Sequence, residues 1–131
     1  MKSFFHTMII VATAILAACG SPETSTYKVI SYNIRLLTPY DTDSLHWDIR
    51  KPATIEMINQ EQPDVFGLQE AMDEQVAYIE DNCPQYARVG VGRDDGDKAG
   101  EFMAIFYLRD RFELLDYSTI WLSETPDTVS M

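Results

Sequence analysis

Asn33 and Glu70 are the residues through which this sequence can do chemistry, because each closes a short apolar run at its polar end. The runs 27–33 and 64–70 are rich in β-branched, aromatic and aliphatic residues and read as strands. Between them Pro52 opens a helical pattern, with Ile55 and Ile58 three apart and Met57 beside them, and Pro63 stops it. Strand, helix and strand make a βαβ unit, whose crossover runs the two strands parallel. Neighbouring strands lie about 5 Å apart, so their C-terminal ends would bring Asn33 and Glu70 to one small volume. A carboxylate with an amide carbonyl is a hard oxygen set, suited to Mg²⁺ with most of its waters retained. The structural alternatives are ordinary ones: Asn33 as a turn residue, and Glu70 as a cap on the following helix.

The elements around this pair follow from the same patterns. The long connection 35–50 holds Asp41, Asp43, His46, Trp47, Asp48 and Arg50, and connections of this length are often functional. Trp47 is expected to plug the sheet end rather than stack on substrate, and His46 to be an exposed loop residue. Arg50 either pairs with an acidic neighbour or contacts phosphate. A second helix is expected at 73–82, with Val76, Ile79 and Ala77 inward and Asp73 and Glu74 in the first turn, where the helix dipole favours acids. A third strand spans 86–91, and Gly90, Gly92 and Gly96 bracket a turn at Arg93-Asp94-Asp95. Arg93 either neutralises a phosphate or bridges to Asp94, Asp95 or Asp97. Residues 101–108 read as a central strand, apolar without alternation and so buried on both faces, with 112–121 as its antiparallel partner.

The chain has 131 residues, 46% of them hydrophobic and 11% aromatic, which fits one globular domain rather than a disordered chain. Its 21 acidic against 10 basic residues give a net charge of −11, so nucleic acid is a poor default partner. Residues 1–19 form a targeting segment: Lys2, an apolar run from Met8 to Leu16 too short to span a membrane, then Leu16-Ala17-Ala18-Cys19. That ending resembles a bacterial lipoprotein signal, which implies a lipidated Cys19, residues 20–26 as a flexible tether, and a cell-envelope location outside the cytoplasm. With Cys19 so used, Cys83 has no disulfide partner and is expected to be a packed thiol at a helix end.

Ser31-Tyr32-Asn33-Ile34 followed by Gly67-Leu68-Gln69-Glu70 resembles the two opening motifs of the endonuclease/exonuclease/phosphatase superfamily, the fold of deoxyribonuclease I. The clusters Trp47-Asp48-Ile49-Arg50 and Gly90-Val91-Gly92-Arg93-Asp94-Asp95-Gly96 are similar to stretches of its bacterial branch. The resemblance implies an α/β fold: a mixed sheet with helices on one face, the N-terminal half of a four-layer α/β sandwich, over residues 27–131. It implies a metal-dependent phosphoester hydrolase, with Mg²⁺ or Mn²⁺ at Glu70 and Asn33, Arg50 and Arg93 toward substrate, and Glu101 orienting a catalytic His; the alternative for Glu101 is a strand-edge carboxylate in solvent. The family's His, Asp-x-Asn and closing Asp-His motifs have no counterpart here, so the expectation is a truncated domain, inactive alone. The alternative is a non-catalytic cell-envelope lipoprotein or binding module that keeps half of the fold. Substrates implied are phosphorylated small molecules or lipid head groups, with nucleic acid disfavoured by charge, and the remaining half of the domain is an implied partner.

Overall fold

In the computed structural model the structure describes residues 25–130; the targeting segment, with Cys19, and most of the tether lie outside the described residues. The elements in chain order are β1 (Val29–Asn33), a short 3-10 turn (Asp43–Leu45), α1 (Trp47–Glu61), β2 (Val65–Gln69), α2 (Asp73–Asn82), β3 (Tyr86–Val89) and β4 (Ile105–Leu108). The sheet order is β1-β2-β4-β3. β1 pairs parallel to β2, with Asn33 opposite Gln69, as the helical crossover requires. β4 runs antiparallel to both β2 and β3, so the sheet is mixed and β4 is interior.

Register assigns the two faces. Ile30, Phe66 and Phe106 stand in one row, and with Leu68 they pack against Ile58 of α1 and Val76 and Ile79 of α2. Phe66 and Phe106 stack at 4.7 Å between ring centroids, which fills the centre of this layer. Both helices therefore serve one face. On the other face the row is Val65 with Tyr107 and Gly67 with Ile105, and no helix of the described residues covers it.

Several sequence expectations change here. The segment 102–108 is not buried on both faces: Phe102, Ala104 and Phe106 are buried, whereas Met103 is 64% and Ile105 47% exposed. Residues 112–121 form no strand, because β4 already has a partner on each edge; they run instead across the open face, beside Val65, Val89, Ile105 and Tyr107. α1 starts a turn and a half before Pro52, with His46 as its N-cap; its Nδ1 accepts from the Asp48 N–H at 3.2 Å. Trp47, 1% exposed and edge-on to Tyr78, draws that extra turn onto the core, and its burial outweighs the one backbone donor that Pro52 lacks. Trp47 is thus a core residue packed on α2. In α2, Ala77 faces solvent and Gln75 is buried in its place.

Cys83 is buried as the C-cap of α2, and that burial raises its thiol pKa, so it is an inert packing group. Tyr86 is also buried; desolvation pushes its pKa up to about 12, and its hydroxyl donates to the Pro63 carbonyl at 2.7 Å. Gly90, at φ +121°, follows β3 where a Cβ would meet Ala104 Cα at 2.9 Å, so only glycine permits this approach to the chain entering β4. No helix among the described residues is long and apolar enough to cross a membrane.

Candidate active site

β1 and β2 end side by side, and their exits carry the pair on which the sequence centred. Asn33 Nδ2 donates to Glu70 Oε1 at 2.8 Å. Asn33 Oδ1 in turn accepts from the Arg35 N–H at 2.9 Å, and Glu70 Oε2 receives a long 3.4 Å contact from the Leu36 N–H. Arg35 and Glu70 both adopt the left-handed region, with φ of 61° and 60°. A non-glycine residue in that region costs about 1–3 kcal/mol, and such strain gathers where a site must be held in shape. Here it turns both strand exits toward the same point.

Two further groups fix the loop that leaves β1. Arg35 grips Asp41 with both arms of its guanidinium, Nε to Oδ2 at 2.9 Å and Nη2 to Oδ1 at 2.6 Å. That hydrogen bonding and charge raise the Arg35 pKa, with a smaller contribution from Glu70 across the site, and the same pairing holds the Asp41 carboxyl below its usual range. Arg50 donates to the carbonyls of Leu45 (2.6 Å), Ile34 (2.6 Å) and Arg35 (3.3 Å) and lies over the Trp47 ring. Its guanidinium therefore organises backbone, and its charge helps to hold the Asp41 carboxyl low.

Glu101 and Arg93 pair with each other, and neither hydrogen-bonds to Asn33 or Glu70. Arg93 bridges to Asp94 at 3.2 Å, one of the partners expected, and to Glu101 at 3.3 Å. Glu101 precedes β4 rather than opening it, next to Phe102, which bridges to Ala71 and Gly92. Its position just past the Glu70 strand exit follows from the Phe102–Ala71 bridge. The one histidine among the described residues, His46, caps α1.

The chain was compared with known proteins. No protein-family model and no curated protein matches it. Among solved structures, an endonuclease/exonuclease/phosphatase family protein from Bacteroides thetaiotaomicron is 39% identical over 79% of this chain and 39% of its own, with a TM-score of 0.76. A second, the endonuclease/exonuclease/phosphatase from Bacteroides vulgatus, is 36% identical over 82% of this chain and 41% of its own, at 0.74. A Bacteroides thetaiotaomicron mannosyl-6-phosphatase is 39% identical over 80% of this chain and 40% of its own, also at 0.74. The chain belongs to the endonuclease/exonuclease/phosphatase superfamily by fold. It spans about two fifths of the length of the structures it matches.

For an endonuclease/exonuclease/phosphatase fold the donor set bears on metal. No group of three or more His, Cys, Asp or Glu side chains capable of holding an ion occurs among the described residues. What is present is one carboxylate whose Oε2 has only a long contact, beside an exposed Asn33 that admits water. One carboxylate and a hydration shell are enough for Mg²⁺, which keeps several waters, and too few for a cage-forming ion. The residues therefore fit a hydrated hard cation.

Gln75 is the residue that sequence patterning missed. Wholly buried in α2, it links the loop after β1 to the segment after β2. A polar residue inside an amphipathic helix is read as solvent-facing unless its partners are known, and those partners lie elsewhere in the chain.

Proposed function

We propose that this chain carries the metal-holding part of a divalent-metal-dependent phosphoester hydrolase. Glu70 is the ligand for Mg²⁺ or Mn²⁺, and Asn33 is the group that orients it. The observation that carries the proposal is the 2.8 Å bond between Asn33 and Glu70 at adjacent C-terminal strand ends. A bound cation would polarise a phosphoryl oxygen there and offset its charge. The chain's own part is to aim one Glu70 oxygen through Asn33 and leave the other open. Arg93, 55% exposed at its side chain, is the proposed phosphate contact, and Glu101 beside it is proposed to orient a histidine from outside the described residues. Arg50, read from the sequence as the partner of an acid or of a phosphate, donates to three backbone carbonyls and is proposed to shape the loop that leaves β1.

Substrates are proposed to be phosphorylated small molecules, with a sugar phosphate first, in line with the name of the mannosyl-6-phosphatase among the similar structures. Lipid head groups share that chemistry. The net charge of −11 weighs against nucleic acid. The test is turnover by the full-length natural product on a hexose 6-phosphate and on a generic phosphodiester. Chelation is expected to abolish it and added Mg²⁺ to restore it. Turnover indifferent to chelator would refute the metal reading, and no turnover on any phosphoester would favour a binding module.

We also propose that Cys19 is lipidated and holds the domain at the cell envelope, from the Leu16-Ala17-Ala18-Cys19 ending. Metabolic fatty-acid labelling should mark the wild type and miss Cys19→Ser. Equal labelling of both would dismiss the anchor.

A further inference from the structure

We infer that Gln75 is a positioning residue that sets the separation of Asn33 and Glu70. Its Oε1 accepts from the N–H of Leu37 at 2.9 Å and from the N–H of Met72 at 3.0 Å. Its Nε2 donates to the Arg35 carbonyl at 3.0 Å. One carboxamide thus joins residues 35 and 37, which leave β1, to residue 72, which leaves β2. Gln75 hydrogen-bonds to neither Asn33 nor Glu70. The loop it holds nevertheless supplies the Arg35 N–H that fixes Asn33 and the Leu36 N–H that reaches Glu70.

Burial gives the arrangement its stiffness. Gln75 has no solvent exposure and its three bonds are partly buried, so the backbone groups it serves lose well-aligned partners that water replaces poorly. Arg35 and Glu70 both sit at positive φ, a conformation that persists only where surrounding bonds over-determine it. Release of the bridge would let both strand exits relax toward ordinary backbone, and the Asn33–Glu70 pair would lose its fixed geometry. The metal consequence of this inference rests on the reading of Glu70 as a metal ligand; the geometric one does not.

Two measurements separate them. Amide hydrogen exchange with single-residue resolution follows the Arg35 and Leu36 N–H groups, which bond to Asn33 and Glu70 and not to Gln75. In Gln75→Met both should exchange about tenfold faster, while Gln75→Glu, which keeps the acceptor for Leu37 and Met72, should fall between. Ile79→Ala, a core truncation on the same helix, should leave them near wild type after allowance for global stability. Mn²⁺ affinity, followed by electron paramagnetic resonance, should fall by roughly 10–100-fold in Gln75→Met, the usual effect of removing an outer support of a metal ligand. Wild-type exchange at Arg35 and Leu36 in whichever glutamine variants fold would overturn the inference. If the wild-type chain binds no Mn²⁺, the metal reading of Glu70 fails, and the exchange rates alone decide for or against Gln75.

Discussion

Glu70→Gln is expected to lower Mn²⁺ affinity and Mg²⁺-dependent turnover by more than about a hundredfold, because it removes the proposed direct ligand, whereas outer-shell changes alone cost roughly 10–100-fold. Its amide keeps the size and the Oε1 acceptor, so the Asn33 bond can persist while the charge that holds a divalent cation is gone. Thermal stability should change little, since the carboxylate's contacts are one good hydrogen bond and one long one at the sheet edge. Asn33→Ala is expected to cost less, within the outer-shell range, because the ligand remains and only its orientation is lost. The checks are Mn²⁺ titration and a phosphoester assay of the full-length product. Near-normal, metal-dependent turnover by Glu70→Gln would show that the ion sits elsewhere.

That pair was legible because its cause is local. Polar residues ending two apolar runs, with one helix between, can be placed by crossover topology without knowing any other contact. The breaks in the reading occur where a distant residue decides. Pro52 was expected at the first helical position, where its missing N–H costs nothing, yet the Trp47 side chain finds a buried place against Tyr78 and the helix extends upstream to reach it. Residues 112–121, after the Arg109-Asp110-Arg111 turn, read as a returning strand, but both edges of β4 are taken by β2 and β3, which no local pattern reveals. Gln75 is polar by type and draws no reading from the sequence, and Arg50 is open there between an acidic neighbour and a phosphate. Their work is done on backbone carbonyls and N–H groups that become neighbours only after folding.

The open face of the sheet leads to the second large effect, weak self-association of residues 21–131 expressed without the anchor. Val29 at 70%, Met103 at 64% and Ile105 at 47% exposure stand on or beside that face. The segment that crosses it adds Leu115 at 89%, Ile120 at 62% and Leu122 at 99%, and a groove of about 680 Å³ runs between sheet and segment. Soluble monomers seldom expose a contiguous apolar patch beyond a few hundred Å². Covering each such side chain gains at most about 1.5–3 kcal/mol, less for Ile105, which is already about half covered, and for Val29, Met103 and Ile120, which are covered by about a third. Association costs about 4–15 kcal/mol, a sum close to the gain from six partly exposed residues, so concentration-dependent association is expected rather than a tight dimer. The four-layer sandwich of the fold would place a second sheet on this face. Sedimentation velocity should show the mean mass rising with concentration, and a dye that fluoresces in apolar surroundings should light up on the wild-type chain. Met103→Lys combined with Ile105→Lys should lower both signals, since each side chain is exposed and a charge there meets solvent in the monomer but a partner's apolar surface in the associated form. A wild-type chain that stays monomeric throughout and leaves the dye dark would mean that residues 112–122 already shield the sheet in solution.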